Sequence, residues 1–237
     1  MRGAGATVTL LNHYSFLTVT TPQVGKSNPS SGSGSSRGKR VPRSSDKHQR
    51  ILDAAIEVIA ENGYFQSRVT DIAARAGVAD GTIYLYFKNK EQVLMAAIDS
   101  AFTGFLKRAR TELSHSHEPR GRLRRLAQLH LETLGANRSL AIVFQTELRQ
   151  SAKFLAQFSH HQLIEYFDLV RAEVREGQRM GVFRRELSDK IVANCFFGAL
   201  DEMVTSWVLS EHDYPLAGAA DAVVDVILMG METRKNP

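Results

Sequence analysis

Across 237 residues the chain carries a single cysteine, Cys195, which excludes an internal disulfide framework and any multi-cysteine zinc site. No segment reaches the ~18–20 consecutive apolar residues that a membrane-spanning helix requires. The opening run from Val8 to Val19 is interrupted by Asn12, His13 and several Thr and Ser, and only Arg2 precedes it, so it makes a poor secretory signal. Acidic residues are missing from residues 1–45, and alternating strand-like patterning of useful length is missing after residue 46. These absences predict a soluble, cytoplasmic, all-α protein.

The lack of acid in the first 45 residues also governs the charge. The net charge is +5, but residues 1–45 contribute six basic groups, leaving 24 basic against 25 acidic residues beyond them. The basic balance therefore belongs to the tail, and an argument for nucleic-acid binding must rest on where charges sit. Residues 25–45 hold eight Ser, four Gly and two Pro. Such a segment buries too little apolar surface to offset its ordering entropy and is expected to be disordered. It reads as a flexible tail, as the product of a start codon assigned too early, or as a basic arm whose Arg37–Arg43 cluster touches DNA.

Helical periodicity dominates from Asp46 onward. Ile51, Ala55, Val58 and Ile59 form one stripe, and Asn62-Gly63 ends that helix. Ser67 is suited to N-cap a short second helix carrying Val69, Ile72, Ala73 and Ala76. Further helices are expected at about 80–87, 89–114, 119–136, 139–149, 152–179, 188–210 and 216–233, about nine in all.

Ser67 to Leu94 reads SRVTDIAARAGVADGTIYLYFKNKEQVL. Small Ala73 and Ala76 permit close helix approach, Gly77 supplies the turn, and Val78, Ile83 and Phe87 are spaced to lock a third helix onto the second. What remains on that third helix is hydroxyl-bearing or small: Gly81, Thr82, Tyr84 and Tyr86. A hydroxyl with a flat apolar ring suits phosphate oxygens and thymine methyls. Arg68, Lys88 and Lys90 add charge for phosphates, and Asp80 is either a cytosine acceptor or the N-cap of the third helix.

This segment resembles the DNA-binding domain of the TetR family of bacterial repressors, in its small helix-two residues, its Gly-Val turn and the run GTIYLYFKNKE. The resemblance implies that Thr82, Tyr84, Leu85, Tyr86 and Lys90 sit at DNA-contact positions, with Arg68 and Thr70 near the backbone and Gly81 at the groove floor. It also implies a homodimer on a palindromic double-stranded operator. Asp80 departs from the family, where Ser, Lys or Gln is frequent. The division expected is a tail (1–45), a helix-turn-helix domain (46–94) and an effector-binding and dimerisation domain (95–237).

In the last two predicted helices, apolar residues occupy two faces. Val192, Phe196, Ala199, Met203 and Trp207 form one set and Phe197, Leu200, Val204 and Val208 another; Val223, Val226, Ile227 and Gly230 oppose Val224, Leu228 and Met231. Helices apolar on two sides pack on their own core and on something else, most simply a two-fold mate. The stretch LAIVFQTELRQS (Leu140–Ser151) passes abruptly from aliphatic to polar, as a site for a ligand with an apolar chain and a charged head would.

That stretch, with VIAENGY (Val58–Tyr64), VADGTIYLYFKNKE (Val78–Glu91) and GALDEMVTSWVLSEHDYPL (Gly198–Leu216), resembles the TetR-type fatty-acid-degradation regulators, the FadR (YsiA-like) group, over most of residues 48–233. The resemblance implies a repressor of β-oxidation genes released by long-chain acyl-CoA, with an acyl tunnel and a basic site for the CoA phosphates. Phe144, Leu148, Phe197, Leu200, Val204 and Trp207 are candidate tunnel walls. Arg149 is the first candidate for an anion contact, and Arg122, Arg124, Arg125 and Arg138 could add charge. No cofactor is expected.

Other readings are a TetR-type repressor of efflux or other catabolic genes answering a different hydrophobic compound, an enzyme, or a nucleoid protein. Enzymatic use of Cys195 is disfavoured, because its neighbours Val192, Phe196 and Phe197 predict a buried inert thiol. His160-His161 and His115/His117 lack a third ligand at metal spacing. A nucleoid protein has no need of a large apolar body.

Overall fold

The computed structural model describes residues 44–116, 118–148, 162–212 and 214–232, with side chains from residue 46. The expectations for the tail, Arg149, His117, His160 and His161, and the helix expected to start at 152, over 152–161, lie outside the described residues. The rest is all-α, with nine α-helices among those residues: α1 (Ser44–Asn62), α2 (Val69–Ala76), α3 (Asp80–Tyr84), α4 (Lys90–Leu113), α5 (Pro119–Gly135), α6 (Arg138–Ile142), α7 (Gln162–Arg179), α8 (Asp189–Leu209) and α9 (Ala220–Met231). A π-helical turn, Val143–Glu147, continues α6, and a 3₁₀ turn, Leu216–Ala219, leads into α9.

The stripe predicted for α1 is buried: Ile51, Ala55, Val58 and Ile59 pack with Ile72, Ala73, Ala76, Ile83 and Phe87 in one small core. Contrary to the expectation from the sequence, Ser67 does not cap α2. Its hydroxyl is buried and donates to the carbonyls of Gly63 (2.7 Å) and Val58 (3.2 Å), tying the end of α1 to the loop. Arg68 takes the N-cap position, and the Asp71 carboxylate accepts from its backbone N–H at 3.0 Å. Gly77 ends α2 at φ +64°, a conformation costly for any residue with a Cβ. The Arg50 guanidinium donates to the Ala76 and Gly77 carbonyls and closes the same turn. Asp80 is the first residue of α3 rather than its N-cap, which is Ala79. Asn89 caps α4 by accepting from the Gln92 N–H at 2.9 Å, while the Gln92 side chain accepts from the Lys88 N–H at 2.8 Å.

Two elements run between the small core and the larger one behind it. α4 places Val93, Leu94, Ala97 and Ile98 in the first and Phe105, Leu106, Ala109 and Leu113 in the second. The segment 140–148 places Leu140, Val143 and Leu148 in the first and Ala141 in the second. The larger core takes the inner faces of α5, α7, α8 and α9.

On α8, residues of both predicted sets turn inward: Val192, Phe196, Leu200, Val204 and Trp207 are all buried. The outward row is one the sequence reading did not assign, Ile191, Cys195, Gly198 and Leu209. Cys195 is exposed, which corrects its expected burial; it lies one turn from Ile191 on the outer face of a helix apolar on both sides. On α9 the expected inner set Val224, Leu228 and Met231 is buried, but of the opposite set only Val226 (73% exposed) and Gly230 face outward, joined by Met229 (80% exposed), which was not assigned, while Val223 and Ile227 pack against the body core. Among the described residues no helix is long and apolar enough to cross a membrane.

Candidate DNA interface and effector cavity

The helix-turn-helix turns a distinct set of side chains to solvent. Ile83 and Phe87 fasten α3 inward, and the residues between them are left outside: Tyr84 is 59% exposed and Leu85 82% exposed. Thr82 is half-buried, and Gly81, Arg68, Thr70 and Lys88 are exposed. A Cβ built on Gly81 would meet no atom within 4 Å. The fold thus gives no internal reason for glycine there, in a helix where alanine would be preferred. Tyr86 is half-buried and leans on His48 of α1, ring centroids 5.6 Å apart and edge-on. Only part of that ring is offered outward.

Lys90 departs from its expected role. Its ammonium folds back over the Tyr64 ring, 4.4 Å from the centroid, and donates to the carbonyls of Tyr64, Phe65 and Ser67. All three donors serve the α1–α2 loop, which leaves none for a phosphate. Burial lowers the Lys90 pKa, opposed by the Glu147 carboxylate nearby. Arg75 is likewise spent, on Glu57 (2.9 Å) and Glu61 (2.7 Å). Phe65, exposed at the tip of the same loop, was not singled out from sequence; an isolated aromatic in a turn carries no periodic signal.

Behind this head, α4, α5, α6 with its π-helical turn, α7 and α8 line a partly open cavity of about 60 Å³. Its walls are aromatic and aliphatic: Phe102, Phe105, Leu134, Leu140, Phe144 and Phe197. Phe105 stacks on Tyr166 at 5.9 Å, and Phe197 meets Tyr166 edge-on at 5.4 Å. Of the expected tunnel residues, Phe144 and Phe197 line this cavity. Leu148 packs instead in the head core, and Leu200 and Val204 are consumed in the body core. Trp207 faces elsewhere: its indole N–H donates to the Tyr214 carbonyl at 2.9 Å and its ring carries the Arg138 guanidinium at 4.7 Å.

The four arginines expected to add charge are engaged within the fold. Arg122 pairs with Glu173, Arg124 with Asp221 and Asp225, and Arg125 with Glu112 and Glu132, while Arg138 donates to the Val208 and Ser210 carbonyls. Guanidinium groups on helices with acids one or two turns away, or on a neighbouring helix, find those acids first.

Of the polar members of the cavity wall, Gln145 belongs to the polar half of the stretch Leu140–Ser151 marked as a ligand boundary, whereas His130 and Tyr166 were not predicted. His130 Nδ1 and the Tyr166 hydroxyl lie 3.1 Å apart, and burial pushes His130 down to about 4 and Tyr166 up. Gln145 bridges α6 to α8, donating to Asp201 Oδ1 (2.8 Å) and accepting from Thr205 (3.0 Å). The available signal was His130 on the apolar face of α5, among Leu126, Leu129 and Leu131, an unusual company for an imidazole. Among the described residues, no group of three or more His, Cys, Asp or Glu is placed to hold a metal ion.

An outward-facing recognition helix joined to a helical body with its own cavity defines a one-component, helix-turn-helix DNA-binding regulator. The chain belongs to the TetR family of bacterial regulatory proteins: that family's DNA-binding region matches residues 51–97, and a YsiA-like protein C-terminal region matches residues 98–230. The chain is 37% identical to the fatty acid metabolism regulator protein of Bacillus subtilis (strain 168), over 79% of this chain and 97% of that protein. Its fold matches the crystal structure of the transcriptional regulator FadR from Bacillus subtilis in complex with stearoyl-CoA (TM-score 0.73, 38% identity, 77% of this chain and 98% of that one). It also matches the fatty acid degradation regulator FadR from Bacillus halodurans (TM-score 0.73, 40% identity, 77% and 98%).

Proposed function

We propose that this chain is a cytoplasmic repressor of fatty-acid-degradation genes that binds a palindromic operator as a homodimer and is released by long-chain acyl-CoA. It acts by binding alone, with no reaction of its own. The observation that carries the reading is an aromatic-walled cavity joined through Leu140 to the core of the head that presents Tyr84 and Leu85 outward. The kinship with a regulator solved with stearoyl-CoA supports the choice of ligand. Arg68, Thr70, Gly81, Thr82, Tyr84, Leu85 and Tyr86 form the DNA face.

The cavity size supports a mechanism. At about 60 Å³ it is far too small for an eighteen-carbon chain, since pockets for ligands of that class run to several hundred Å³. An acyl chain enters only if the helices part, so the ligand favours a different packing of the body. Each buried methylene is worth about 0.8 kcal/mol. A hundredfold release of DNA needs about 2.8 kcal/mol of differential affinity. Three or four methylenes buried in one state and not the other are enough. The segment 140–148 and α4 each contribute to both cores and carry the shift to the heads. Ile191 and Leu209 on α8, with Val226 and Met229 on α9, form the apolar seam for the second copy.

The test is operator affinity, on a duplex selected in vitro from random sequence, with palmitoyl-CoA, palmitate and a lipophilic cation added in turn. Release by palmitoyl-CoA alone is expected. Release by the cation, with palmitoyl-CoA inert, would move the chain to the efflux-type reading.

A further inference from the structure

His130 presents an unspent hydrogen-bond donor to a mostly apolar cavity. The residue is 7% exposed and lines the cavity. Burial keeps its imidazole neutral, with one donor and one acceptor nitrogen, and keeps the Tyr166 hydroxyl protonated. Among the described residues, Nδ1 of His130 is the acceptor within reach of that hydroxyl, at 3.1 Å. Tyr166 therefore donates to Nδ1, and the ring proton resides on Nε2. No partner for Nε2 occurs among the described residues.

The other polar groups of the wall are Thr133, Gln145, Tyr166 and Asp201, and each has a partner. The Thr133 hydroxyl donates to the Leu129 carbonyl at 2.7 Å, and Gln145 is held between Asp201 and Thr205. A donor facing the cavity gains a hydrogen bond when a ligand brings an acceptor oxygen and gains none when it brings only methylenes.

Taking long-chain acyl-CoA as the effector, as proposed above, we infer that His130, steadied by Tyr166, is a specificity-determining residue that hydrogen-bonds an acceptor oxygen on the acyl part of the ligand. Two sources offer that chemistry: the thioester carbonyl, and an oxygen at the third carbon of an oxidised chain. A saturated chain without a carbonyl offers none.

The experiment compares the full-length protein with His130→Phe, His130→Gln and Tyr166→Phe, by calorimetric Kd and by operator release. The ligands are palmitoyl-CoA, its thioether analogue S-hexadecyl-CoA, which lacks the carbonyl, and 3-oxohexadecanoyl-CoA. If the thioester carbonyl is the acceptor, His130→Phe weakens palmitoyl-CoA by roughly ten-fold and leaves S-hexadecyl-CoA unchanged. If the acceptor lies at the third carbon, the loss is confined to 3-oxohexadecanoyl-CoA. His130→Gln keeps an N–H near Nε2, so it restores part of the discrimination and serves as the comparison should the Phe variant fail to fold. Tyr166→Phe frees the tautomer and reduces the same discrimination. Equal losses for all three ligands would mean a packing role and overturn the inference, as would no loss for any. If the wild-type protein binds none of them, the acyl-CoA reading falls and this one with it.

Discussion

The Lys90 ammonium stands 4.4 Å from the centroid of the Tyr64 ring and is tied to the backbone of the loop that follows it. A cation at the start of α4 is thereby turned into a strut between α4 and the α1–α2 loop. Glu147, on the π-helical turn that follows the cavity wall, is close enough to act on its charge. The turn that carries Phe144 and Gln145 into the cavity wall thus also carries a charge that acts on the lysine bracing the α1–α2 loop.

Replacing Lys90 by Met leaves three carbonyls without their donor and is expected to cost about 1–3 kcal/mol of stability, read as a lower urea midpoint. Operator affinity falls because the head loosens, but the dependence of log K on log salt keeps its slope. A slope flatter by about 0.9 would mean that Lys90 is a direct phosphate ligand after all.

Gly81→Ala and Tyr84→Ala separate folding from reading. Since a Cβ at Gly81 meets nothing, alanine there is expected to stabilise the free protein by up to about 1 kcal/mol. On DNA the added methyl obstructs close approach, and affinity drops. Tyr84→Ala leaves the melting temperature almost unchanged while operator binding weakens by ten-fold or more. Retention of full affinity by both variants would place the DNA face elsewhere.

The pH dependence of stability follows from His130. Its folded pKa of about 4 lies below the unfolded value of roughly 6.5, so the unfolded chain takes up the proton first as the pH falls. The contribution is fully present above pH ~6.5 and is lost on the way down, to a total of about 3 kcal/mol. In His130→Phe this component is missing. Urea denaturation at pH 7 and pH 5 should give a smaller difference for the variant than for the wild type; identical differences would assign the acid sensitivity to other groups.

Met229→Asp tests the seam. Met229 is four-fifths exposed on α9 with Val226 one turn away, so an aspartate is well tolerated by the monomer fold. In a dimer it buries an unpaired charge against its own symmetry mate. Sedimentation should show a folded monomer, with operator affinity greatly reduced because each half-site is then bound alone. A dimer of unchanged strength would exclude α9 from the interface.

The recognition helix was legible because its signals are local. Gly77, Ala73 and Ala76 and the apolar positions 83 and 87 each act through neighbours a few residues away, so their spacing alone determined the turn and left Tyr84 and Leu85 outside. The helices followed from the same short-range periodicity, as did the inward face of α9, whereas Val223 and Ile227 of its expected outer set pack against the core. What the sequence could not fix depended on partners distant in the chain. Leu148, Leu200, Val204 and Trp207 are apolar and helical like Phe144 and Phe197, yet only the last two reach the cavity, because the packing of α4, α5, α7 and α8 decides which face looks into it. The same holds for Lys90, captured by carbonyls 23 to 26 residues earlier, and for the arginines claimed by acids across the bundle. His130 and Tyr166 are 36 residues apart, and no periodicity relates them. Composition and spacing determine what a helix is; which of its faces meets a ligand, a core or a second molecule is a property of the assembled bundle, because burial and hydrogen bonding are settled in space rather than along the chain.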